Sequence, residues 1–74
     1  MNLKEIKQQV KHCYNFTAMK SSEQRGWNVL FDMDDVRYTV KTKRSEVRFF
    51  KTLNTVARYI ASISNEITDF KVVL

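Results

Sequence analysis

Six of the thirteen lysines and arginines lie in one run, "RYTVKTKRSEVRFFK", from Arg37 to Lys51, and the only acid among them is Glu46. Elsewhere the charges cancel. Five cations meet five acids from Met1 to Val36, and two meet two from Thr52 to Leu74, so the whole formal net charge of +5 arises in this run. Lysine and arginine in such a row can neutralise phosphates along a duplex and release its counterions, and arginine can also grip guanine edges with two parallel bonds. The residues placed for this chemistry are Arg37, Thr39, Lys41, Lys43, Arg44, Arg48 and Lys51, with Thr39 as a hydroxyl donor. The plainer alternative is a solvated sheet face whose charges deter edge-to-edge pairing.

The other chemistry-bearing residues do not converge. "VLFDMDDV" resembles the first motif of haloacid-dehalogenase-type phosphatases, which would make Asp32 a nucleophile and Asp34 a general acid. Asp35 stands where that family usually has glycine, and 74 residues cannot house the larger sheet and the later lysine. Asp32, Asp34 and Asp35 lack the spaced oxygens and terminal glutamate of a calcium loop, whereas aspartates of this kind commonly close hairpin turns. His12 and Cys13 are adjacent, so on a helix their side chains diverge by about 100° and cannot work as base and nucleophile. A single histidine and a single cysteine are too few for a zinc site or an intrachain disulfide. We therefore expect no enzyme, no metal and no cofactor.

The elements that must position the basic run are legible in outline. Asn2 and Glu5 have capping-box spacing, and Leu3, Ile6, Val10, Cys13, Tyr14 and Thr17 recur every three or four residues, which predicts a helix from Leu3 to about Met19. "KSSEQRG", Lys20 to Gly26, reads as a loop, with Gly26 free to take a positive φ. "WNVLF", "VRYTVKT" and "EVRFFKT" then predict a three-stranded antiparallel meander. Strict alternation puts Val36, Tyr38, Val40, Val47 and Phe49 on its core face and Arg37, Thr39, Lys41 and Arg48 on the other. Lys43 and Arg44 extend the basic face at a hairpin tip.

Thr52 can cap a second helix with Leu53, Val56, Ala57, Ile60, Ala61 and Ile63 as its apolar stripe, and Asn65 is the expected left-handed stop. "DFKVVL" closes the chain as a strand that can pair parallel to the first strand. The expected fold is α+β in the order α-β-β-β-α-β, one domain over residues 1–74, with two helices on one face of the meander. Phe50 does not fit it. Alternation points Phe50 to the side of Arg48, so either the strand bulges or an aromatic ring is exposed among cations.

Composition bounds the rest. A hydrophobic fraction of 43 % with nine aromatic residues supports a folded core rather than a disordered basic tail. A chain this short buries only about 60 % of its unfolded surface, so a homodimer would add stability. The first ten residues lack the apolar core of a signal peptide, and no apolar run approaches the ~20 residues of a membrane span. With one unpaired cysteine, the expectation is a cytoplasmic protein without membrane attachment.

Within this frame, "VRYTVKTKRSEVRFFKTLNTVARYIASI" resembles the arm-binding domain of phage and transposon integrases, where three antiparallel strands precede a helix and the sheet face enters the major groove. A strand ending in "FKT" before the helix, here Phe50, Lys51 and Thr52, is part of that likeness. The chain as a whole is similar to small accessory proteins of plasmids and prophages, including partition-associated proteins of the ParC type. The first resemblance implies double-stranded DNA as partner, the partner that the segregated charge also favours; the second carries over no functional residue. The competing expectation is a protein-interaction module of a phage or plasmid, docking on an acidic host protein or on its own copy, with Phe50, Trp27 or Tyr59 as buried anchors.

Overall fold

The computed structural model describes residues 1–22 and 25–74. Asn2 caps helix α1, Leu3–Gln8, through the expected reciprocal bonds with Glu5: each backbone N–H donates to the other's side-chain oxygen at 3.0 Å. The helix stops early, at Gln9. A short 3-10 turn, Val10–His12, leads into a nine-residue strand, β1, Cys13–Ser21. Half of the expected first helix is therefore strand. A helix over these residues would leave Phe16 off the apolar stripe, whereas the strand buries Phe16 and Ala18 and stacks Phe16 on Phe31 at 5.5 Å. Burying one such ring contributes about 1.5–3 kcal/mol, which outweighs a marginal helical preference.

Strand β2, Gly26–Met33, pairs antiparallel with β1, and β3, Val36–Thr39, pairs antiparallel with β2. Between β2 and β3, Asp34 and Asp35 both take positive φ, 53° and 61°. That is the two-residue hairpin turn whose twist suits the flanking strands, and Asp tolerates it better than most residues. Asn15, with φ 57°, forms a bulge that shifts the β1 register between Tyr14 and Thr17. Gly26 does not take a positive φ. Of the expected loop, Lys20 and Ser21 lie in β1, and Glu23 and Gln24 fall outside the described residues.

Helix α2, Leu53–Ile63, is capped by Thr52 as expected, with Thr55 closing the box. Its buried residues are Val56, Tyr59, Ile60 and Ile63, while Ala57 and Ala61 are exposed, so the stripe is rotated toward Tyr59. The helix ends at Ser64 in an extended conformation rather than at a left-handed Asn65. Strand β4, Lys71–Val73, pairs parallel with β1, completing a mixed four-stranded sheet in the order β3-β2-β1-β4. The closing strand is parallel as expected, but its partner is Cys13–Ser21, a segment expected to be helical, and not "WNVLF", the first strand expected. Ile6 of α1 and the buried residues of α2 close one core with Phe16, Ala18, Val29, Phe31, Val40 and Phe50. Among the described residues no helix covers the opposite face of the sheet.

Candidate nucleic-acid interface

The basic run is displayed by a hairpin between β3 and α2. Its tip is locked from within the backbone: the Ser45 N–H donates to the Thr42 carbonyl at 3.0 Å and the Thr42 N–H to the Glu46 carbonyl at 2.8 Å. Ser45 takes φ 63°, and the Thr42 hydroxyl oxygen accepts the N–H groups of both Arg44 and Glu46 at 3.3 Å. A turn followed by one left-handed residue is a common three-residue hairpin closure. It leaves Lys43 and Arg44 exposed at the apex.

The returning arm, residues 47–50, is not the third meander strand expected of "EVRFFKT": it touches the sheet only through isolated bridges, and it does not lie as alternation predicts. Lys41 bridges to Val47, the Arg48 N–H donates to the Val40 carbonyl at 3.1 Å, and Phe50 pairs with Trp27 through two backbone bonds of 2.7 and 2.9 Å. In this register Phe50 is the core residue, 5 % exposed, and Phe49 the outer one at 38 %. The extra left-handed residue at the tip shifts the arm by one position, and a shift of one exchanges the two faces of a strand. Val47 goes outward with Phe49, and Arg48 goes to the helical side with Phe50. There its guanidinium lies 5.1 Å from the Phe50 ring centre and 4.9 Å from that of Tyr59. The two rings meet edge to face at 5.0 Å.

The expected site residues are consequently divided among several surfaces. Arg37 stays on the outer sheet face, where it pairs with Asp32 at 3.8 Å, and Thr39 is half-buried beside it. Lys41 is half-buried at the β3 edge, where its backbone N–H donates to the Met1 carbonyl at 2.8 Å. Lys43 and Arg44 hold the tip, Arg48 faces the helices, and Lys51 is exposed just before the α2 cap. The expected anchors change place as well. Phe50 and Tyr59 are core residues and Trp27 is half-buried against them, so none of the three is an exposed aromatic. Burial pushes the Tyr59 hydroxyl above its ordinary pKa, with Arg48 opposing, and that hydroxyl makes no hydrogen bond among the described residues.

The acidic residues at the β2–β3 turn serve the fold. Asp32 accepts a bond from the Asn15 side chain at 3.1 Å, and Asp35 accepts the Tyr14 hydroxyl at 3.0 Å, which raises the tyrosine's pKa. Among the described residues no three His, Cys, Asp or Glu side chains gather in a metal-binding group. Cys13 is half-buried, its thiol directed at the Gln9 carbonyl at 3.3 Å and pushed up in pKa by burial.

Two groups of residues are not visible as site candidates in the distribution of charge along the chain. Lys4 and Lys7 of α1 meet Lys43 of the hairpin around an open depression of about 470 Å³ that also includes Leu3 and Gln8. On the outer sheet face, Met19, Leu30, Val47 and Phe49 line a second depression of about 390 Å³ with Asn28 and Thr39. The lysines are hidden because acids distant in space balance them in sequence. The outer apolar residues are hidden because strict alternation assigns Val47 and Phe49 to the core.

Fold and site together define a class: a small α+β protein with a mixed four-stranded sheet, helices on one face and a basic hairpin closed by hydrogen bonds at its tip. No family model, curated protein or solved structure matches the chain. Among the described residues no helix is long and apolar enough to cross a membrane.

Proposed function

We propose that the protein is a non-enzymatic DNA-binding accessory or regulatory protein of a mobile element, acting in the cytoplasm on double-stranded DNA. The observation that carries this reading is the hairpin tip, where backbone bonds and the Thr42 hydroxyl fix the turn that presents Lys43 and Arg44. A turn that is already rigid loses little entropy on meeting a phosphate backbone. Its projection from the sheet suits a groove wide enough for a two-stranded ribbon. Replacing Lys43 and Arg44 by alanine should weaken binding to all duplex sequences alike. The slope of log affinity against log salt should fall by ~2, about 0.9 for each phosphate no longer neutralised. Fluorescence anisotropy with labelled duplex at several salt concentrations measures this. An unchanged slope in the double variant removes the hairpin from the interface.

A second reading, a protein-interaction module, is favoured by the outer sheet face. Met19, Val47, Phe49 and Val73 are all exposed there, and among the described residues no helix covers them. The anchor in this reading is Phe49 rather than Phe50. If a second copy or an acidic partner docks there, Phe49→Glu should abolish the complex while leaving the thermal midpoint of the monomer within a few degrees. Sedimentation of the wild type across a range of concentrations tests self-association, and a strictly monomeric wild type excludes the homodimer.

A further inference from the structure

Resting on the DNA-binding reading, we infer that the duplex backbone crosses the helical side of the molecule, along a seam centred on Leu3, and not the open sheet face. Two depressions share Leu3. One is lined by Leu3, Lys4, Lys7, Gln8 and Lys43; the other, of about 350 Å³, includes Arg48, Arg58, Thr55 and Ser62. Five cations from α1, the hairpin and α2 therefore line one continuous surface, and among the described residues no acid lines either depression. The nearby Glu5 is engaged elsewhere, since its carboxylate accepts the Asn2 N–H at 3.0 Å in the α1 cap.

The two faces of the protein differ in what they offer a phosphate. On the sheet face Arg37 is already paired with Asp32, and the depression there is lined by Met19, Leu30, Val47 and Phe49 with Lys20 as its one cation among the described residues. On the helical side Lys4, Lys7, Lys43, Arg48 and Arg58 form no ion pair among the described residues. Lys4 and Lys7 are three apart on a helix and so adjacent on its surface. Arg48 is held against two aromatic rings, which fixes its position without neutralising it. Thr55 and Ser62 add hydroxyl groups of the kind that position a backbone without reading sequence. Both depressions are shallow and open, a shape that suits a polymer laid across them better than an enclosed small ligand. The longest dimension of the chain is 30 Å, so one copy covers at most about nine base pairs at 3.4 Å each.

The test compares two pairs of exposed lysines by salt-dependent anisotropy on a labelled duplex. K4A/K7A removes seam cations, and K20A/K71A removes cations away from the seam. Circular dichroism and thermal melting establish that each variant is folded. The expected result is a slope reduced by ~2 in K4A/K7A, about 0.9 for each phosphate released, with K20A/K71A within error of the wild type. If the wild type binds but K4A/K7A leaves the slope unchanged, or if both pairs lower it equally, the seam is not the path of the duplex while the DNA-binding reading stands. If the wild type itself does not bind at low salt, both are overturned.

Discussion

Phe50→Ala is expected to destabilise the protein by about 3–5 kcal/mol, whereas Phe49→Ala costs less than about 1 kcal/mol. The two residues are neighbours of identical type, so the contrast isolates position. Phe50 is 5 % exposed, packs edge to face on Tyr59 and lies beneath the Arg48 guanidinium. Its removal opens a cavity between the hairpin arm and α2 and withdraws one of the two rings that hold Arg48. Phe49 has a solvent-facing ring beside Val47. A domain of this size has a total stability on the order of 4–11 kcal/mol at 0.05–0.15 kcal/mol per residue, so Phe50→Ala removes a large share of it. Urea denaturation of both variants reads the difference directly. Equal losses, or a larger loss at Phe49, would mean that the returning arm lies in the opposite register.

The second large effect is expected at Gly26. A Cβ built there falls 2.6 Å from the Phe50 carbonyl oxygen, closer than a carbon and an oxygen can stand, and the obstacle is backbone rather than a movable side chain. That same oxygen accepts the Trp27 N–H at 2.7 Å. Gly26→Ala must push the hairpin arm away from β2, which strains or breaks the paired bonds between Trp27 and Phe50. Overpacking costs about 1–3 kcal/mol and each broken bond about 1 kcal/mol, so a loss of about 3 kcal/mol is expected. At 4–8 °C per kcal/mol for a domain of this length, the melting temperature should fall by about 12–24 °C. Because both substitutions disturb the same junction, G26A/F50A should cost clearly less than the sum of the single variants. A melting temperature for Gly26→Ala within about 4 °C of the wild type would show that the arm does not approach β2 this closely. The glycine is required here for close approach and not for a positive φ.

The local rules readable in the sequence are those decided by a few neighbouring residues. Asn2 with Glu5 and Thr52 ahead of α2 mark both helix starts, and the Asp34–Asp35 pair marks the turn. Each satisfies backbone groups or a special φ within four residues, so nothing distant can overrule it easily. The first helix is misread beyond Gln8 because its apolar spacing fits a helical stripe, while the side chain that argues for a strand, Phe16, acquires its value only when Phe31 is across from it. The basic site is legible as a charge concentration but not as a surface.

The sequence by itself determined that this is a small α+β protein, where its helices begin, where its tight turn lies, and that its net positive charge comes from the run between Arg37 and Lys51. Only the tertiary structure decided which side of the molecule each of those cations occupies. One left-handed residue, Ser45, and the pairing of Phe50 with Trp27 set the register of residues 47–50, and in a strand a single step of register exchanges core for solvent. The same docking brings Lys43 to Lys4 and Lys7, residues about forty positions away in sequence. Charges act through space, and their order along the chain does not record which of them become neighbours once the core has closed.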